Sequence, residues 1–140
     1  MILFCDTSAL LKLYIEEPGS DAVKARVHEA EAVAVCRIAW VESHAALSRR
    51  ARETPADAAN LEQAKAAVAA DWPRYVVMEI TQALIESAGE YADTFALRAY
   101  DAVQLAAAHE AALIAQAPVL FACFDMRLNK AAKLLGMACL

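Results

Sequence analysis

Residues 3–14, LFCDTSALLKLY, contain the feature that decides the fold. Three apolar residues lead to one acid, Asp6, which is followed by two hydroxyl residues and then by an apolar pattern with helical spacing. The stretch predicts a buried strand that ends at Asp6 and a helix that begins directly after it. A carboxylate at a buried junction is costly unless a cation pairs with it. A partner for Asp6 must therefore come from elsewhere in the chain or from a bound ion.

Length and composition predict one domain over residues 1–140. The chain has 140 residues, 60% of them hydrophobic, which is enough for a substantial core. The formal net charge is −5 and the pI is about 5.1. No long basic run occurs, so a broad face for duplex nucleic acid is not expected. Nucleic acid is not excluded as a substrate, because metal ions in an acidic pocket can attract phosphate.

The cysteines indicate buried, reduced thiols rather than a disulfide or a zinc site. No CxxC pair occurs, and each cysteine lies in a short apolar run that is typical of a strand. The N-terminal MILFCD reaches an acid too early for a signal peptide. Charges interrupt the long apolar stretches, so no membrane span is expected. These features together predict a cytoplasmic protein.

Apolar runs alternate with helical patterns along the whole chain. Strands are predicted over residues 2–5, 32–40, 75–80 and 119–124, with a possible fifth at 137–140. Helices are predicted over residues 8–15, 21–30, 41–53, 56–72, 82–92, 94–116 and 126–135, with Ser20 and Thr81 as helix caps. Strands that are apolar throughout and separated by helices are typical of a parallel sheet covered on both faces. The predicted class is therefore α/β.

Four acids lie where open parallel sheets bind ligands, at the carboxyl ends of the strands. Asp6 and Asp125 directly follow the first and fourth strands, and Glu42 lies just past the second. Asp101 lies among apolar residues in LRAYDAVQLAAA. Convergence of these carboxylates would concentrate negative charge with no evident protein cation nearby, and a hard divalent cation would neutralise it. The spacing is compatible with a metal site but does not fix one, because helix orientation is not visible in it.

Each acid also has an interpretation that needs no metal. The alternatives are helix capping for Asp6 and Asp125, capping or an ion pair with Arg49 or Arg50 for Glu42, and an ion pair with Arg98 for Asp101. Basic side chains that could contact phosphate, or could equally be ordinary surface charges, are Lys12, Arg98, Arg127 and Lys130. The three histidines lack metal-ligand spacing such as HxxxH, so they are expected to be structural or exposed. Trp40, Trp72 and the tyrosines fit a core better than a stacking surface, since they are not clustered.

Four segments occur in order along the chain: DTSALLKLY, ESHAAL, LRAYDAVQLAAA and FDMRLNKAA. Together they resemble the PIN domain, specifically the VapC-type toxins of bacterial toxin–antitoxin pairs, over nearly the whole sequence. The resemblance implies a three-layer α/β/α fold with a parallel sheet ordered 3-2-1-4-5. It also implies an endoribonuclease that depends on Mg²⁺ or Mn²⁺, a small VapB-type antitoxin as partner, and homodimerisation, which is common among relatives.

The family's acidic quartet maps onto Asp6, Glu42, Asp101 and Asp125. In the mechanism that this implies, the first and third acids hold one ion with help from the second, and the last holds or recruits another. A metal-activated water then hydrolyses a phosphodiester of RNA. Single-stranded or loop RNA is the expected substrate form, because its backbone can reach a compact cleft.

Two positions beside the quartet bear on this resemblance. Ser8 matches a small polar position that orients the first acid from outside the ligand set. Cys123 stands where the family usually has threonine or serine, which weakens the case for a hydrogen bond that orients the last carboxylate without removing a ligand. The departure leaves room for an alternative function, a catalytically weak PIN-like binding or regulatory module.

Two further expectations concern chemistry and partners. An enzyme that forms an aspartyl phosphate on Asp6 would need a second aspartate two residues later, where Ser8 stands. An antitoxin helix would need an apolar groove. The sequence candidates for that groove are Leu11, Tyr14, Leu47 and Ala51.

Overall fold

The computed structural model describes all 140 residues and contains one five-stranded parallel sheet. The strands are β1 (Ile2–Cys5), β2 (Ala32–Cys36), β3 (Val76–Met78), β4 (Val119–Ala122) and β5 (Ala138–Cys139). Their order is β3-β2-β1-β4-β5, and every neighbouring pair is parallel. The predicted α/β class and the strand order 3-2-1-4-5 are confirmed, and β1 lies in the middle of the sheet.

Seven helices connect the strands. They are α1 (Thr7–Leu11), α2 (Ser20–Glu29), α3 (Ala39–Glu53), α4 (Ala58–Asp71), α5 (Gln82–Phe95), α6 (Ala99–Ala115) and α7 (Met126–Leu134). Short 3₁₀ turns, Pro55–Asp57 and Trp72–Arg74, flank α4. None of the helices has the length and apolar character needed to cross a membrane.

The sheet separates two apolar cores, which gives the three layers. Successive residues of a strand point to opposite faces. On one face Leu3 and Cys5 pack with residues of α1, α2 and α3, and on the other Phe4 packs with α5, α6 and α7. All four cysteines are free. Cys5, Cys36 and Cys123 are buried as predicted, whereas Cys139 on the edge strand β5 is only partly buried.

Several element boundaries differ from the predicted ones. β2 ends at Cys36 rather than at residue 40, and the buried Ala39 already begins α3. The helix predicted from residue 94 begins at Ala99, because Ala96 adopts a left-handed backbone with φ 53° and terminates α5. Alanine gives no signal for this conformation, which glycine or asparagine usually occupies. An apolar, helix-favouring sequence therefore conceals the break.

Two predicted helix caps have different outcomes. Thr81 caps α5 by accepting the backbone N–H of Leu84 at 3.1 Å, as predicted. Ser20 is not the cap of α2, because Gly19 takes that position with φ 95°. The Ser20 hydroxyl instead donates to the Ile15 carbonyl and accepts from the Glu17 N–H, both at 3.0 Å. It thus closes the turn between α1 and α2.

Two expectations about apolar surfaces are wrong. Leu11 and Leu47 do not form an apolar groove, because both are buried in a small core with Leu61 of α4, although Leu11 also borders the cavity at the end of β1. The aromatic residues Trp40 and Trp72 are not isolated from each other, since their rings meet edge to face at 5.1 Å. In both cases the missing fact is long-range packing by α4 and the turn that follows it, which sequence spacing does not reveal.

Glu17 joins the loop after α1 to α3. Its carboxylate accepts from Lys12 and from Arg50, each at 3.0 Å, and its side chain is 21% exposed. Burial acts to raise the pKa of Glu17, but the hydrogen bonds from Lys12 and Arg50 outweigh burial and leave the pKa below its ordinary value. The ionised carboxylate therefore stabilises the folded chain.

We expect Glu17→Gln to lower the free energy of unfolding by about 1 kcal/mol at neutral pH. Because folding lowers this pKa, the contribution is complete above the unfolded value of about 4.3 and disappears as the pH falls through the folded value. Urea unfolding at about pH 7 and about pH 3 should show the difference from wild type shrinking in acid.

Glu62→Gln is the matched control, because Glu62 forms an exposed ion pair with Lys65 within α4. It should change the unfolding free energy by less than about 0.5 kcal/mol. Equal losses for the two variants, or a Glu17→Gln loss that persists unchanged in acid, would contradict the stabilising role of the Glu17 bridge.

Candidate functional site

A cavity of about 640 Å³ opens at the carboxyl end of β1. It is walled by α1, α3 and the start of α6, and three of the four predicted acids line it: Asp6, Glu42 and Asp101. The fourth, Asp125, lines an adjoining cavity of about 530 Å³. Asp101 and Arg98 line both cavities, so they connect the two halves of the site.

Asp6 is a buried carboxylate held by neutral donors. Its Oδ1 accepts from the Ser8 hydroxyl at 2.7 Å and from the Ala9 N–H at 2.9 Å, and the residue is 7% exposed. Burial raises the pKa of Asp6, the two hydrogen bonds oppose that effect, and the nearby charge of Asp101 adds to it. Asp6 therefore caps α1, but no protein cation pairs with it.

Glu42 lies in the first turn of α3 and points its carboxylate at α1 and α6. Its Oε1 accepts from the Thr7 hydroxyl and from the Gln104 amide, both at 2.8 Å, while Oε2 has no protein donor. Burial raises the pKa of Glu42, and the hydrogen bonds from Thr7 and Gln104 limit the rise. The alternative ion pair with Arg49 or Arg50 does not form.

The sequence pattern does not point to Thr7 or Gln104, although they fix Glu42. Gln104 is 3% exposed, and its amide nitrogen also donates to the Thr7 hydroxyl at 3.0 Å. Its amide oxygen is buried without a partner. A signal was available, because Gln104 is the one amide in the alanine-rich run of α6 and lies one turn after Asp101.

Asp101 lines both cavities and also forms the ion pair with Arg98 that its spacing allows. It lies in the first turn of α6, where the helix dipole favours negative charge. Its Oδ2 also accepts from Arg98 Nε at 3.3 Å, and its side chain is 31% exposed. The expectation that no protein cation lies near the acids is therefore wrong for Asp101, although it holds for Asp6.

Asp125 caps α7 and lies beside the thiol of Cys123. Its Oδ1 accepts from the Leu128 N–H at 2.9 Å, while its own N–H donates to Cys123 Sγ at 3.3 Å. Burial raises the pKa of Cys123, and the charges of Asp6 and Asp125 raise it further, so the thiol stays neutral. Cys123 thus fixes the backbone of Asp125, and a threonine hydroxyl is not required for that contact.

The donor set suits a hard cation in an open site rather than in a closed cage. No three His, Cys, Asp or Glu side chains converge closely enough to enclose a metal ion. The buried Asp6 carboxylate, however, lacks a protein cation, and Glu42 Oε2 lacks a donor. A small divalent ion such as Mg²⁺ is commonly held by one or two carboxylates and completes its shell with water. Carboxylates that face an open cavity match that requirement.

Most of the predicted phosphate contacts are already engaged within the protein. Lys12 pairs with Glu17 and lies 4.6 Å over the Phe124 ring, while Arg127 donates to the Ala96 carbonyl at 3.3 Å. Two arginines absent from the predicted set, Arg49 and Arg52, line the larger cavity instead. No histidine lines either cavity, in agreement with the sequence-based expectation.

Comparison with known proteins gives a consistent assignment. Residues 3–134 match the PIN domain family. Two Mycobacterium tuberculosis proteins, ribonuclease VapC45 and ribonuclease VapC49, are each 30% identical to this chain over 135 residues, covering 96% of it and 92% of the relative. The structure of VapBC-1 from nontypeable Haemophilus influenzae aligns over 100% of this chain and 97% of its own with a TM-score of 0.64 at 16% identity. Because the family match spans nearly all of a chain that folds with the strand order expected from its motifs, this protein belongs to the PIN domain family, in its VapC group.

Proposed function

We propose that this protein is a metal-dependent endoribonuclease and the toxin of a VapBC-type toxin–antitoxin pair. The observation that carries the proposal is the buried Asp6 carboxylate, which faces a cavity with two further carboxylates and has no protein cation. The matched relatives from Mycobacterium tuberculosis are named ribonucleases, which supports RNA as the substrate. The alternative of a binding module without activity is disfavoured, since all four acids are present.

Four carboxylates would hold the ion or ions, which we propose to be Mg²⁺ or Mn²⁺: Asp6, Glu42, Asp101 and Asp125. When bound, such an ion lowers the pKa of a water to near neutrality and neutralises charge that develops on the phosphate. The chain supplies the positioning. Ser8 and the Ala9 N–H fix Asp6, and Thr7 and Gln104 fix Glu42 through Oε1 alone, so one oxygen of Glu42 remains available.

Single-stranded RNA fits this site better than a duplex. The cavity is compact and presents three carboxylates at one place, and single strands can thread a reactive phosphodiester into such a cleft. The same carboxylates suit a basic side chain of a VapB-type antitoxin, since opposite charge favours association. We propose that the protein acts on RNA in the cytoplasm, and its free cysteines are consistent with a reducing compartment.

We expect Asp101→Asn to reduce RNA cleavage by roughly 100-fold or more, because it removes a charged ligand from the junction of both cavities. The measurement is cleavage of a mixed cellular RNA pool by partner-free protein with Mn²⁺, Mg²⁺ or EDTA. Discrete products should require the metal and the wild-type aspartate. Asp93→Asn is the matched control, since Asp93 is exposed on α5 and lines neither cavity. Cleavage in EDTA, or equal activity of the two variants, would contradict the proposal.

We expect Asp6→Asn to keep or raise the melting temperature of the metal-free protein. A carboxyl whose pKa is raised on folding destabilises the folded state when ionised, and asparagine still caps a helix. The same change should abolish the stabilisation by Mn²⁺, which for wild type amounts to about 2.7 kcal/mol at 100 times Kd.

Thermal denaturation of both proteins with and without Mn²⁺ tests these two effects together. A melting temperature of metal-free Asp6→Asn several degrees below wild type would show that the charge of Asp6 serves the fold. Equal stabilisation of both proteins by Mn²⁺ would remove Asp6 from the ion site.

A further inference from the structure

We propose that Arg49 and Arg52 of α3 form a phosphate-binding track that holds the RNA strand beside the cleaved bond. This inference rests on the proposed ribonuclease function and adds a binding surface to it. Both side chains line the larger cavity together with Asp6 and Glu42. Neither belongs to the acidic quartet.

One face of α3 carries both the acid and the arginines. The cavity-lining residues of this helix are Glu42, Ala45, Ala46, Arg49, Arg50 and Arg52. Spacings of three, four and seven residues place side chains on one side of a helix. With a rise of 1.5 Å per residue, Arg49 and Arg52 lie about 10 and 15 Å along the axis from Glu42. The small Ala45 and Ala46 leave space between the acid and the arginines.

The charge pairing of the cavity singles out these two arginines. Arg50 pairs with Glu17 at 3.0 Å, and Arg98 contacts Asp101 at 3.3 Å. Arg49 and Arg52 are exposed and form no ion pair or hydrogen bond within the protein. A guanidinium group without a partner can bind a phosphate through two parallel hydrogen bonds.

The site needs such a surface for electrostatic reasons. The protein carries a net charge of −5, and an RNA strand would be repelled where Asp6, Glu42 and Asp101 line the cavity. Two arginines on one side attract the neighbouring phosphates and so give the strand a direction across the acids. Tyr100, which is 61% exposed, lines the same cavity from α6 and offers a ring on which a base can stack. Proteins that bind single-stranded nucleic acid commonly combine positively charged side chains with exposed aromatic rings.

The length of the track sets the length of RNA that it contacts. A stacked strand advances about 3.4 Å per nucleotide, and an extended strand advances more. The arginines therefore lie roughly two to four nucleotides from the phosphate at the acids. An RNA that extends roughly two to four nucleotides from the cleaved bond toward the arginines should bind more tightly than an RNA of equal length that extends in the other direction.

The test compares two double variants of equal charge in an inactive Asp101→Asn background. Arg49→Gln with Arg52→Gln removes the track. Arg26→Gln with Arg74→Gln is the control, because Arg26 lies in the last turn of α2 before β2 and Arg74 ends the turn before β3, at the opposite end of the strands. Fluorescence anisotropy of a short randomised single-stranded RNA is measured over a range of salt concentrations.

We expect the track variant to weaken RNA binding about tenfold at low salt and to reduce the slope of log K against log salt by about 1.4, the value for two lost phosphate contacts on a single strand. The control should match its parent. In the active background, kcat/KM should fall for the track variant while kcat at saturating RNA changes little, since the arginines do not touch the reacting phosphate.

Two outcomes overturn the track while leaving the ribonuclease function intact. The first is wild-type cleavage of RNA with equal affinity and salt slope for the two double variants. The second is unchanged RNA binding by the track variant with loss of antitoxin binding, which would assign this surface to a protein. Absence of any cleavage by the wild-type protein overturns the proposed function and the track with it.

Discussion

The carboxylate of Asp6 lies at the carboxyl end of β1, the middle strand of the sheet, with only 7% of the residue exposed. Two neutral donors stabilise it, but they do not cancel its charge. Removing an ion from water costs several kcal/mol unless an opposite charge compensates. Its neighbours in the cavity, Glu42 and Asp101, raise that cost because they carry the same sign. The fold therefore favours the binding of a cation beside the Asp6 carboxylate.

The rest of the site follows from how each acid is fixed. Backbone N–H groups at helix starts hold Asp6 and Asp125, so their positions are set by the ends of β1 and β4. Glu42 is fixed differently, through side chains from two other helices, Thr7 and Gln104. A preorganised ion site requires that the ligand side chains be held in place by such hydrogen bonds. The same contacts also join α1, α3 and α6, so the site contributes to holding one layer of helices against the other.

The sequence predicts the strand order through its family motifs and the fold class through apolar strands that alternate with helices. The positions of the four acids are equally legible, because each follows a strand or stands among alanines. Contacts between distant elements are not legible. Gln104 acts on Glu42 across 62 positions, and α4 buries Leu11 and Leu47. The local pattern marks Gln104 as an unusual residue in α6, but it does not identify Glu42 as its partner or α4 as the cover of the two leucines.

The charge balance of the cavity could not be predicted for the same reason. Four arginines line it, but which of them is engaged depends on partners brought from other elements, such as Glu17 for Arg50. Sequence spacing identified the pair of Arg98 and Asp101, since the two lie one turn apart. It gave no basis for separating Arg49 and Arg52 from other surface arginines. That separation appears only when the cavity and its ion pairs are seen together.

The most direct test of the central claim, that an external cation compensates Asp6, is anomalous X-ray diffraction from crystals of the wild-type protein grown with Mn²⁺. We predict an anomalous peak at coordination distance, about 2.0–2.2 Å, from an Asp6 oxygen, with Asp101 or Glu42 beside it. Crystals of Asp6→Asn grown in the same way should lack that peak. A wild-type map without manganese at Asp6 would contradict the claim. So would a map in which a lysine or arginine side chain of the protein pairs with Asp6 in place of the ion.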